Sequence, residues 1–188
     1  MPYEALTKTR LTKALHRLSE LATAEGIVLE LALYGGAVFT LVYGSRELTK
    51  DVDGIIKPAE AGARLVKVVA QEQGLADNWL NSDVRQFLSP NDQRPPFPST
   101  EFEPGLRITI PTANYLLALK LRAARPSLPG HPGDEPDIRF LLQPIKPADV
   151  EAVDVIFDRF FPGEIPHDDA RRMVTRLLAE QPGSASAP

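Results

Sequence analysis

Two short apolar runs, residues 27–34 and 52–56, restrict this chain more than any other feature. Each is bracketed by chain breakers: Gly26 precedes the first, Gly35 and Gly36 follow it, and Pro58 comes just after the second. Short apolar runs with such borders read as buried strands. Around them, apolar residues recur at three- and four-residue steps. In residues 4–25 these are Leu11, Ala14, Leu15, Leu18, Leu21 and Ala22; in residues 59–73 they are Leu65, Val66, Val68 and Val69, with Gly74 next. Both stretches predict amphipathic helices closed by glycine. A short helix at 37–43, stopping at Gly44, separates the first strand from a second at 51–57. The resulting order of strands and helices implies an α/β fold of the α+β kind, a small mixed sheet covered by helices.

The rest of the chain extends this plan. Residues 77–88 predict a short helix that turns Trp79, Val84, Phe87 and Leu88 inward, and residues 89–104, rich in Pro, Asn, Asp and Ser, predict a long loop. A third strand at 106–110 ends at Pro111. A helix at 112–124 follows, with Thr112 as N-cap and Lys120 standing alone among Leu116, Leu117, Leu119 and Leu121. A Pro- and Gly-containing loop at 125–135 leads to helices at 136–142, 147–161 and 165–180. In domain terms, 1–142 forms the main domain, 143–180 a C-terminal helical extension, and 181–188, made largely of Gly, Ser, Ala and Pro, a disordered tail.

Composition excludes several classes. With 43% hydrophobic and 24% charged residues the chain is that of an ordinary globular protein. A net charge of -4 argues against broad, non-specific nucleic-acid binding but leaves room for a local basic pocket. The absence of cysteine removes disulfides, thiolate metal sites and cysteine nucleophiles. No run approaches the ~18 apolar residues of a membrane span, and the polar start carries no secretory leader, so a cytoplasmic location is expected. His16, His131 and His167 lack ligand spacing, and no Gly-rich P-loop is present.

What remains is chemistry in one stretch. Asp51 and Asp53, two residues apart on a strand, point the same way. Carboxylates so close are costly to keep ionised in a shielded site unless a cation sits between them, and Mg²⁺ prefers such oxygen ligands. Gly35 and Gly36 stand where a strand turns into a helix, a junction at which missing Cβ atoms let a phosphate approach backbone N–H groups. Alone, the acids also suit a solvated strand end and the glycines an ordinary turn. In this order they suit a phosphate cradle beside a metal site.

The stretch Tyr34-Gly35-Gly36, followed by Asp51-Val52-Asp53-Gly54, resembles the signature of the nucleotidyltransferase superfamily of the DNA polymerase beta type. Within that superfamily it is most similar to the AbiEii-like enzymes of toxin-antitoxin and phage-defence systems. Residues 46–53 resemble part of their first motif, Asp77-Asn78-Trp79-Leu80-Asn81 a recurring downstream segment, and residues 117–123 with 137–142 their distal Lys and Asp motif. The resemblance implies a nucleotidyltransferase-like fold and transfer of a nucleoside monophosphate from an NTP to an acceptor hydroxyl. It places Mg²⁺ on Asp51 and Asp53 and phosphates at Gly35 and Gly36. Arg46 and Lys50, between glycines and acids, are candidate triphosphate contacts or exposed loop cations. Lys120 reaches the nucleotide or snorkels to solvent, and the resemblance favours the nucleotide. Asp137 orients Lys120, pairs with Arg122, or serves as a first-turn helix acid. The implied acceptor is an RNA such as a tRNA, or a protein, and the implied partner an antitoxin protein. Two departures stand out: Gly36 occupies a position where many active members have Ser, and strand 106–110 lacks the superfamily's third carboxylate, with Glu101 and Glu103 lying just before it. The alternatives are a degenerate fold that binds nucleotide or a partner protein without turnover, and an enzyme acting on a small molecule such as an aminoglycoside.

Overall fold

The computed structural model describes residues 5–123 and 133–180; most of the expected loop at 125–135, the tail at 181–188 and His131 lie outside them. Two compact units emerge, Met1–Gln86 with Arg94–Pro111, and Phe87–Gln93 with Thr112–Pro188. The division falls at Pro111, whereas the sequence pattern places a boundary at 142.

In the first unit the elements run β1 (Leu6–Thr7), α1 (Lys8–Ala24), β2 (Leu29–Leu33), α2 (Gly35–Val38), a π-helical turn (Phe39–Tyr43), β3 (Leu48–Thr49), β4 (Val52–Lys57), α3 (Ala59–Gln73), β5 (Leu80–Asn81), a 3-10 turn (Asp83–Phe87) and β6 (Leu106–Thr109). β1 and β3 form a two-stranded ladder. The main sheet has the order β5-β4-β2-β6, with β2 antiparallel to β4 and parallel to β6, and β4 parallel to β5. It is a small mixed sheet, as the sequence implies.

Register sorts its side chains into two faces. Leu31 stands opposite Ile56 and Ile108, Leu33 opposite Gly54, and Val52 opposite Leu80, so one face is apolar. α1 and α3 pack on this side, and both approach closely. A Cβ on Gly62 of α3 would strike the Ile56 side chain, and one on Gly105, just before β6, would fall on the Ser19 carbonyl of α1. The opposite face carries Glu30, Ala32, Asp53, Ile55, Lys57, Asn81, Arg107 and Thr109. The alternation that buries the leucines therefore gathers the polar side chains on one surface.

Residues 77–88 hold a short helix only at Asp83–Phe87, as a 3-10 turn, and the part before it is a strand. Val52 N–H donates to the Trp79 carbonyl (2.7 Å), and Leu80–Asn81 then pairs with β4 as an edge strand. The open edge of β4 overrides a short helical pattern, because sheet pairing supplies partners that an isolated turn of helix lacks. Trp79 is buried as expected and its Nε1–H donates to the Val66 carbonyl (3.1 Å), but Phe87 is exposed and Val84 and Leu88 are only half-buried.

The second unit holds α4 (Ala113–Ala123), α5 (Glu135–Ile145), α6 (Val150–Phe160) and α7 (Asp168–Ala179). Thr112 Oγ1 accepts from Tyr115 N–H (3.3 Å), the capping bond its position implies. α4 is buried from Tyr115 to Leu121 because α5 and α6 both pack on it, and Tyr115 stacks on Phe160 at 4.9 Å. α5 runs past its expected end to Ile145, with Pro144, which has no N–H to donate to the preceding turn, in its last turn, and closes at Lys146 in the left-handed conformation. Among the described residues, no helix is long and apolar enough to cross a membrane.

Candidate functional site

The β2–β4 ladder continues one step beyond β2: Tyr34 N–H donates to the Asp53 carbonyl at 2.8 Å. Tyr34 is extended (φ -136°, ψ -175°), and the chain then turns at Gly35 through φ +58° into α2. This register sets Gly35 against the Asp53 side chain, and a Cβ there would fall on Asp53 Oδ2. The left-handed backbone favours glycine, and a Cβ there would in addition push the Asp53 carboxylate aside. Gly36 admits a second close approach, since its Cβ would collide with Thr49 Oγ1 and lie 3.3 Å from Arg46 Nη1. The glycines thus bring an acid and a guanidinium of this chain onto the turn. The first N–H groups of α2 lack intrahelical acceptors, as in any helix.

Asp51 precedes β4 and is exposed, while Asp53, on the strand, is half-buried. Asp51 stands at a bend before the strand, and its contact with Asn81, the residue in register with Asp53, is what places it beside the polar face. Thr49 Oγ1–H donates to the Asp51 carbonyl (2.9 Å), pinning the approach to β4. Asn81, in register with Asp53, places its amide Nδ2 3.4 Å from Asp51 Oδ2 and its Oδ1 2.9 Å from the Asp83 N–H. Arg46 is half-buried, with its guanidinium carbon 5.7 Å from the Phe39 ring centroid; Lys50 is exposed.

The donor set suits a hard divalent cation, since two carboxylates share a face and water or phosphate oxygens ordinarily complete such a shell. Among the described residues, no group of three or more His, Cys, Asp or Glu is placed to hold a metal. On the polar face β6 presents Arg107 and Thr109, so the strand expected to carry a third carboxylate has none. Glu101 lies 3.9 Å from His16 of α1, toward the helix-covered side.

Lys120 and Asp137 belong to the second unit. Lys120 Nζ lies 2.8 Å from Asp134 Oδ1 and 2.7 Å from Asp137 Oδ2, with exposures of 5%, 0% and 2% for the three residues. The ammonium therefore does not snorkel to solvent. Taking away Lys120 costs about 3–5 kcal/mol, because two buried carboxylates are left without their cation. Asp137 pairs with Lys120 rather than Arg122, which donates to the Phe87 carbonyl (3.1 Å) and Glu164 (3.1 Å) and stands over the Phe161 ring at 4.5 Å. Sequence reasoning misses Asp134; its only signal is the three-residue spacing to Asp137 at a helix start, which shares a face. No family model matches this chain, and neither a curated protein nor a solved structure matches it.

Proposed function

We propose that this chain is a Mg²⁺-dependent nucleotidyltransferase that moves a nucleoside monophosphate from an NTP to an acceptor hydroxyl. The observation that carries the reading is the apposition of the Asp53 carboxylate to the left-handed Gly35 turn, with the Arg46 guanidinium at Gly36. Asp51 and Asp53 would hold the ion, which when bound neutralises charge on phosphate oxygens. Arg46 and Lys50 would offset triphosphate charge, and a role of the Gly35–Gly36 turn toward phosphate rests on the resemblance, since Asp53, Thr49 and Arg46 fill the space beside the glycines. The acceptor oxygen attacks the α-phosphorus, the bond to the bridging oxygen breaks, pyrophosphate leaves, and the hydroxyl proton is released. Two carboxylates already hold the Lys120 ammonium, and a nucleotide contact for it rests on the resemblance alone. An RNA such as a tRNA or a protein as acceptor, and a toxin role opposite an antitoxin protein, rest on the resemblance alone.

The test incubates the full chain with Mg²⁺, each labelled NTP, and total RNA or lysate, beside the Asp51→Ala/Asp53→Ala double variant. Label transfer by the wild type that the double variant abolishes supports the enzyme. A second reading, a fold that binds nucleotide or a partner protein without turnover, is favoured by Arg107 and Thr109 standing where a third acid is expected. Nucleotide binding without transfer would support it and overturn catalysis.

A further inference from the structure

The segment leading to β6 doubles back along that strand's outer edge. Phe97 N–H donates to the Ile108 carbonyl (2.9 Å), Ile110 N–H donates to the Pro95 carbonyl (3.0 Å), and Pro96 stands opposite Thr109. Pro95 and Pro96 fix their own φ angles, and a sheet edge is where proline is tolerated. In this register Pro96 shares the face of Thr109, and alternation gives Arg94 the same face. Thr109 is in register with Ala32, whose row continues to Tyr34, and Tyr34 stands beside Asp53. Arg94 therefore belongs to the polar face that carries the site, from the far edge of the sheet. Its backbone stands three strand spacings from β4, ~14 Å, and its side chain reaches inward from the edge to Tyr34. The guanidinium carbon is 6.0 Å from the centroid of the Tyr34 ring, on the residue immediately before Gly35. Arg46 approaches from the other flank, at Gly36.

We propose that Arg94 is a substrate-binding residue, a second guanidinium that with Arg46 clamps the β- and γ-phosphates of the NTP. This assignment rests on the nucleotidyltransferase reading above. A planar fork of donors suits bidentate contact with phosphate, which a lysine reproduces only as a point charge. The contact is to the phosphates that leave, so it distinguishes an NTP from a nucleoside monophosphate.

Binding is measured by calorimetry on the full chain with Mg²⁺ and ATP, GTP, CTP or UTP, and separately with the corresponding monophosphates. The variants are Arg94→Ala, Arg94→Lys and, as an exposed arginine elsewhere in the same unit, Arg85→Ala. Arg94→Ala is expected to weaken NTP binding about tenfold or more, as loss of a charge-assisted contact does, and to leave monophosphate binding unchanged. Arg94→Lys is expected to recover part of the loss, and Arg85→Ala to match the wild type. NTP affinity within about twofold of wild type in Arg94→Ala overturns the assignment and leaves the enzyme reading standing. Equal loss of NTP and monophosphate also overturns it, since the contact would not be to the leaving phosphates. A wild type that binds no NTP overturns both.

Discussion

Replacing Gly35 by alanine changes two things, and a second glycine separates them. Gly35 and Gly74 both have positive φ, +58° and +63°, but a Cβ at Gly74 meets nothing within 4 Å whereas one at Gly35 falls on Asp53. A left-handed backbone costs an alanine about 1–2 kcal/mol. Both substitutions are therefore expected to lower the unfolding free energy from urea titration by that order, while only Gly35→Ala displaces Asp53 and abolishes Mg²⁺-NTP binding. Retention of binding by Gly35→Ala would remove the turn from the site. At this scale the sequence shows that Asp51 and Asp53 point the same way, because alternation along a strand is local. That Asp53 lies against Gly35 follows from register between strands some twenty residues apart in the chain, which no local pattern records. Asp134 is hidden for the same reason: its partner Lys120 is 14 residues away in the chain, on α4.

Among the elements, α5 and α7 carry a set of alternating charges. Hydrogen bonds from Arg176, and then from Arg139, hold the Glu135 carboxyl below the ordinary carboxylate range. Arg139 and then Arg176 do the same for Glu180. A carboxyl whose pKa is depressed on folding adds stability that is present above its unfolded value, about 4.3 for Glu, and is lost as pH falls through the folded value. Arg176→Ala is thus expected to be less stable than wild type at neutral pH, with the gap closing under acid. Urea unfolding followed by circular dichroism at neutral and at acidic pH measures it, and a gap that persists in acid would assign the effect to packing. The pairs are surface pairs and the effect is small. The helices themselves are plain in the sequence: α3 runs from Ala59 to Gln73 and ends at Gly74, as its periodicity and closing glycine indicate. β5 is not, since two residues become a strand only where β4 offers an edge. The helix expected at 37–43 is present and stops at Gly44, but the π pitch of Phe39–Tyr43 has no sequence signal of its own.

For the whole molecule, a ligand that binds only the folded chain raises its melting temperature. At a hundredfold excess over Kd the gain is about 2.7 kcal/mol, which for a chain of this size is a shift of several degrees. Mg²⁺ with the correct NTP is expected to produce it in the wild type and not in Asp51→Ala/Asp53→Ala; an equal shift in both would place the nucleotide elsewhere. The α+β class, the buried strands, the amphipathic helices and the shared face of Asp51 and Asp53 were determined by the sequence itself, because periodicity and turn chemistry act over a few residues. The tertiary structure alone decided that Gly35 meets Asp53, that Arg94 joins their face from the opposite edge, and that Lys120 is enclosed by Asp134 and Asp137. Each of these depends on which segments pair and pack over long separations, and that is settled by the burial of the whole core.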